Sequence, residues 1–334
     1  MHWWHAAHFP LWGRPELLER SLEWYDRIRP VARATAARQH LPGARWPKQV
    51  GPDGTEAPSD IGPFLVWQQP HPIHLAELVR RAHDHRGGGA EDRQVLERWA
   101  PVVFDTAAFI AALPERTDRG RELGPPLVPA QESYGADRRR VRNPTFELAH
   151  WSWALAIANQ WRRRLGLEPE PQWQRVGEQL VRPRVIGGVY PAIDVPPYTL
   201  RTDHPSMVAA LGVVPPTGLI DPMIMERTLE SVLADWDWPT AWGWDFPMLA
   251  MTATRLGRSD LATAALLRTE AKNCYLPNGH NFQNASLPLY LPGNGGLLTA
   301  VALMAAGWDG ANAPNPGFGS DWIVQSEGLV PLPG

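Results

Sequence analysis

Residues 15–39 read PELLERSLEWYDRIRPVARATAARQ, with Leu18, Leu22, Tyr25 and Ile28 recurring every three to four positions. That spacing lines one face of an α-helix and conflicts with the two-residue alternation of a half-buried strand. The same period returns over roughly 72–85, 92–113, 143–165, 171–180, 205–211, 221–233, 240–256, 259–273 and 295–306. Pro15, Pro72, Pro171 and Pro205 open four of these stretches, where the first-turn N–H has no helical partner to lose. Gly166 and Gly257 follow two of them as C-caps, and Gly87-Gly88-Gly89 marks a break. Strand alternation is nearly absent, so the sequence predicts an all-α chain.

The helices come in pairs, separated by long joints rich in Pro, Gly and Trp, such as GARWPKQVGPDGTEAP at 43–58 and PTAWGWDFP at 239–247. Long ordered loops of this kind are unlike the minimal turns of a bundle and tend to carry function. With 44% hydrophobic residues and both charge signs, the 334 residues can bury a sizeable core. A net charge of −3 provides no basic footprint for nucleic acid, and the short Arg runs at 138–140 and 162–164 read as solvated patches. No run of about 18 apolar residues marks a membrane span, and MHWWHAAHFPLW has no charged, then apolar, export pattern. The single Cys274 excludes an internal disulfide and a cysteine metal cluster. His2, His5 and His8 have no acidic partner pattern, so neither a metal nor any other cofactor is expected. The sequence leaves compartment and oligomeric state open.

Seventeen residues are Trp, more than the eight Phe and six Tyr together. A flat ring with one N–H suits a sugar face, although it suits a protein core equally well. Trp46 and Trp67 lie in loops and are the favoured stacking rings, whereas Trp24, Trp99, Trp151, Trp153 and Trp161 fall inside helices as packing. Glycoside cleavage needs one carboxyl to protonate the leaving oxygen and another to activate water or attack. Glu132, after the apolar GPPLVPA run and beside Tyr134, is the candidate acid, or else an ion-pairing or capping glutamate. Asp245 is hemmed by Trp242, Trp244 and Phe246 and is the first choice for the second carboxylate, or else a helix cap; Glu56, Glu147 and Asp203 are alternatives. Planar amides read sugar hydroxyls, which singles out Asn278, His280, Asn281 and Gln283 in NGHNFQN, or a polar turn bonded to its own backbone. Gln69 and His71, in VWQQPHPIH with Gln68, stand where a helix start could aim them inward.

Several of these motifs together resemble the six-hairpin glycosidases, glycoside hydrolase families 65 and 95 above all. Gly43-Ala-Arg-Trp-Pro-Lys48 followed by Asp53-Gly-Thr-Glu56 is similar to the family 65 substrate loop. Gln131-Glu132-Ser-Tyr134, followed by Asn143-Pro-Thr-Phe and a helix, is similar to the segment carrying that family's general acid. Phe282-Gln283 and Pro292-Gly-Asn-Gly-Gly296 resemble the closing loop of family 95, except that Pro292 stands where its catalytic Asp falls. The resemblance implies an α/α toroid (six-hairpin barrel) over residues 1–310, with 311–334 a Pro/Gly-rich tail. It also implies that the first helix or hairpin is missing, leaving an open, apolar edge to the ring. The activity implied is an inverting glycoside hydrolase acting on a carbohydrate substrate, with Glu132 as acid and Asp245 the candidate activator of water. Substrate contacts are expected from Trp46, Lys48, Glu56, Trp67, Gln69, His71, Tyr134, Asn143, Trp244, Asn278, His280, Asn281 and Gln283. The alternatives are a disaccharide phosphorylase, a non-catalytic carbohydrate-binding protein, and an epimerase or lyase using His280 or Tyr134 as base.

Overall fold

Where the 3.6-residue period runs, helices form over most of its length, although the stretch expected at 259–273 is helical only to Leu266. The computed structural model describes residues 1–334, apart from the side chain of Ala90. The early helices are α1 (His2–Ala6), α2 (His8–Leu11), α3 (Pro15–Arg38), α4 (His71–His85), α5 (Ala90–Ala112) and α6 (Thr145–Arg164). The later ones are α7 (Pro171–Gln179), α8 (Pro222–Asp235), α9 (Asp245–Arg255), α10 (Ser259–Leu266) and α11 (Leu291–Ala306). The apolar stretch at 205–211 forms a 3-10 turn, Ser206–Leu211, instead of a full helix. Leu18, Leu22, Tyr25 and Ile28 are buried on α3 as their spacing requires. Gly166 and Gly257, with φ of 75° and 73°, terminate α6 and α9 in the left-handed region that glycine enters at no cost. Strands are confined to two small hairpins, Glu115–Thr117 with Gly120–Glu122, and Cys274–Tyr275 with Asn281–Phe282.

Alternate elements form two concentric layers. The inner layer runs α1–α2, α4, α6, the Ser206–Leu211 turn, α9 and α11, each packed on the next, and α11 returns to α1 and α2. The outer layer is α3, α5, α7, α8 and α10. This is an α/α toroid with, among the described residues, six inner elements and five outer helices. The inner ring is shut, which corrects the expected open edge: the one unfilled helix position of the two-layer scheme belongs to the outer layer. The inner helix α9 is enclosed on all sides, with every residue from Asp245 to Thr254 buried.

Close backbone approach makes the closing seam possible. A Cβ at Gly295 would run into the Trp4 carbonyl oxygen, so α11 meets α1 only because that residue has no side chain. Trp3 and Trp4 are buried in the seam, Trp4 with its ring centroid 4.5 Å from that of Trp244. Burying an indole removes on the order of 150–250 Å² from water, roughly 4–6 kcal/mol of transfer free energy per ring before entropy is counted.

The inner helices share one direction. Met1, His71, Asp245 and Leu291 start them at one end, while the segment after Gly328 covers the other. There Val330 N–H donates to Leu11 O (2.9 Å), and Arg81 binds Asp309 and the carbonyls of Pro331 and Leu332. The interhelical loops at the opposite end surround a cleft. Among the described residues no helix is long and apolar enough to cross a membrane.

Candidate active site

The cleft encloses about 670 Å³ at the N-terminal end of the inner ring. Glu132 enters it from the first position of the 3-10 turn Glu132–Asp137, on a loop fixed at each residue. Ala130 N–H donates to Glu147 Oε1 (2.7 Å), the Gln131 amide donates to Leu200 O and Thr202 O (both 2.6 Å), and Ser133 N–H donates to Asp203 Oδ2 (3.2 Å). That last bond ties the Glu132 loop directly to a second carboxylate on the cleft wall.

Asp203 sits at φ 63°, a conformation Asp tolerates better than most residues, and is held on three sides. Its N–H donates to Thr240 Oγ1 (2.8 Å), its carbonyl accepts from Trp236 Nε1 (2.9 Å), and Oδ1 accepts from Trp242 Nε1 (3.1 Å). Next along the chain, His204 Nδ1 lies 2.9 Å from Asp245 Oδ1, while its Nε2 is 3.5 Å from Asp203 Oδ1. Burial alone would lower the His204 pKa, but the Coulombic pull and hydrogen bond of Asp245, with Asp203 behind them, raise it above the ordinary imidazole value. The Trp244 ring lies 4.1 Å from the imidazole, centroid to centroid. Lys48 forms an ion pair with Glu132, and burial lowers its ammonium to about 8 against the opposing pull of Asp203. The cleft therefore holds two carboxylates, each facing a proton carrier.

Of the residues expected from sequence, Glu132, Lys48 and Trp67 line this cleft. Asp245 does not. It is wholly buried beneath His204, with Oδ1 on the imidazole and Oδ2 accepting from Trp242 N–H (2.8 Å), so neither oxygen reaches the cleft. The nearest cleft-lining carboxylate to it in the network is Asp203. Trp244 lies in the same layer beneath the cleft, between Trp4, Trp67 and His204. Trp46 is core: its indole N–H donates to Thr106 Oγ1 (2.8 Å) and its ring packs edge-on against Tyr25, with His71 near it on a neighbouring cavity of about 480 Å³.

Other amides and rings are already spent on the protein's own backbone. Gln69 bonds Trp46 N–H, Ala44 O and Arg45, and the Tyr134 hydroxyl clamps Pro197 O to Leu200 N–H. Asn143 joins Leu123 N–H to Glu122 and Asp194. Gln283 accepts from Gly243 N–H and donates to Ala241 O, while Asn281 donates to Lys272 O and Cys274 O. This pair braces the Trp242–Trp244 loop from below, and a Cβ at Gly243 would collide with the Asn281 amide. Asn278 caps its own turn through His280 N–H, and Asn278, His280 and Glu56 lie apart from the cleft-lining residues. Glu147 is fully buried, its carboxyl pushed up to about 7 by burial despite the Ala130 N–H, and it acts on the cleft through the Glu132 loop.

Sequence reasoning held Asp203 in reserve and missed His204 altogether. The signal available was the Asp-His doublet in YTLRTDHP, an acid and an imidazole within a proline-bounded joint. Leu287, Leu289 and Leu291, which also line the cleft, were missed as well.

No family model matches the sequence, and no curated protein is similar to it. Thirteen solved chains match it, among them a putative kojibiose phosphorylase from human microbiome, with a TM-score of 0.61 and 9% identity. The fold is the six-hairpin α/α toroid. The match covers 90% of this chain and 48% of that one, so the present toroid spans about half the length of its neighbour. At such low identity the likeness speaks for the fold alone.

Proposed function

We propose that the chain is a glycoside hydrolase that cleaves an O-glycosidic bond with inversion, Glu132 donating a proton to the leaving oxygen and Asp203 activating water. The supporting observation is that these two carboxylates share one cleft at the loop end of the toroid and are linked through the Ser133 N–H bond to Asp203. Asp203, accepting from Ser133 N–H and Trp242 Nε1, is oriented as a general base requires. An ion pair requires a charged carboxylate, so Glu132 must first take up a proton from solvent, which becomes favourable once an incoming sugar draws Lys48 onto its own hydroxyls; that proton then passes to the leaving oxygen. Asp245 then serves as a positioning residue, holding His204 against Asp203.

Replacing either carboxylate, as Glu132→Gln or Asp203→Asn, lowers kcat/KM on a responsive glycoside by roughly 10²–10⁴-fold. Nuclear magnetic resonance on the first-formed anomer reads the stereochemistry, and a product of retained configuration overturns inversion. The neighbour's name favours a second reading, a disaccharide phosphorylase, in which phosphate occupies the place of water. Against it, the cleft cations Lys48 and His204 both already face carboxylates. Phosphate-dependent release of a sugar 1-phosphate decides for the phosphorylase. Sugar binding that survives Glu132→Gln, with no turnover in either form, decides for a non-catalytic binder.

A further inference from the structure

One stretch of the cleft lining differs in character from the carboxylates. The segment Ser286–Leu291 reads SLPLYL, and Leu287, Leu289 and Leu291 line the cleft with exposures of 36%, 40% and 47%. They are three of the thirteen large apolar side chains exposed among the described residues, gathered within five positions. Leu287 and Leu289 flank the bend at Pro288 and Leu291 opens α11, while Tyr290, which also lines the cleft, packs on Trp242, 5.5 Å between centroids.

The strip is fixed in place. Asn284 Oδ1 accepts from Ser286 N–H and Leu287 N–H (both 2.9 Å), and Tyr290 N–H donates to Asn281 O (2.9 Å). Leucines held open to water in a rigid segment keep an apolar surface ready for a guest and lose little entropy when it arrives.

We infer that this wall is the aglycone subsite, and that the substrate is a glycoside whose leaving group is an apolar alcohol or phenol instead of a second sugar. The inference rests on the hydrolase reading for the sugar side of the cleft. A sugar aglycone would need amides and several hydroxyl partners along the strip, whereas three of its cleft-lining side chains are leucines and Tyr290 carries its one hydroxyl there. An alkyl or aryl group leaves water against them, at about 0.8 kcal/mol per buried CH2, roughly a fourfold gain in affinity for each.

The test uses alkyl glycosides from methyl to octyl on each of a panel of sugars, beside disaccharides of the same sugars. Binding to the Glu132→Gln protein is followed by calorimetry, and kcat/KM of the unmodified chain by sugar release. The expected result is affinity rising about fourfold per added CH2 and a preference for the octyl glycoside over the disaccharide, with the rise flattened in Leu287→Ser/Leu289→Ser. Chain-length-dependent binding without turnover in the unmodified chain upholds the apolar subsite while sinking the hydrolase. Affinity independent of chain length, a preference for disaccharides, or no binding of any alkyl glycoside overturns the inference and means that the leucines cover polypeptide, from another segment or a second copy.

Discussion

Replacing Asp245 by Asn tests whether this carboxylate acts on water or through His204. The pair is buried, with Asp245 fully enclosed and the His204 side chain 10% exposed, and their contact is 2.9 Å. Two unit charges about 4 Å apart at an effective dielectric of 20 attract by about 4 kcal/mol, part of which is offset by desolvation, leaving about 2–4 kcal/mol. The sign with pH follows from the raised His204 pKa. That contribution is fully present below the imidazole's unfolded value and fades as pH rises through its folded value. At high pH the imidazole is neutral, Asp245 is a buried charge without a cation, and Asn can donate to Nδ1 while still accepting from Trp242 N–H. Asp245→Asn is therefore expected to cost most near pH 5.5 and little or nothing near pH 8.5. At about 2 °C per kcal/mol for a chain this large, Tm falls by about 4–8 °C at the lower pH. Circular dichroism melts of both proteins across that range make the measurement. A Tm difference that stays constant with pH, or grows as pH rises, refutes the ion pair. A loss of activity as complete as that of Asp203→Asn returns Asp245 to the role of base.

Lys48→Met should abolish an alkaline limb: if the ammonium is needed, kcat/KM of the unmodified chain falls as pH rises through about 8, and the variant's profile lacks that fall. Gln283→Ala strands the buried Gly243 N–H and should cost about 1–3 kcal/mol, read as a lower Tm; an unchanged Tm with a raised KM would make Gln283 a substrate contact instead. Gly295→Ala should force α11 away from α1, lowering Tm and increasing protease cleavage near either terminus, and wild-type resistance would contradict the seam. His150 is buried neutral, its pKa lowered by burial to about 3, so it contributes stability above its unfolded value that disappears as pH falls toward 3. Tm measured between pH 7 and 4 should fall, and less steeply in His150→Gln.

The toroid was legible because helix period and proline placement are local properties. The predicted stretch at 15–39 became Pro15–Arg38, and that at 171–180 became Pro171–Gln179. Ring closure was not legible, since it depends on Gly295 meeting Trp4 from the far end of the sequence. At the site, Glu132 stood out by its loop and its resemblance. Asp245 misled because aromatic neighbours mark a carboxylate as buried without saying whether its oxygens face a cleft or an imidazole. The amide cluster at 278–284 misled for a related reason: Asn and Gln side chains bond backbone as readily as sugar, and Gln283 bonds Gly243 N–H and Ala241 O while the Asn281 NH2 is spent on Lys272 O and Cys274 O. His204 acquires its character from Asp245, forty-one residues away, which no local reading supplies.

The seam also constrains how the chain is made. Trp4 and Gly295 are roughly 290 residues apart, so α1 finds its last neighbour only when α11 has been synthesised. Until then Trp3 and Trp4 have no completed surface to pack against, and a nascent chain carries two incompletely covered indoles until the seam can close. Ribosome-bound intermediates should therefore engage a holding chaperone through this N-terminal pair and be released once the final inner helix has cleared the exit tunnel.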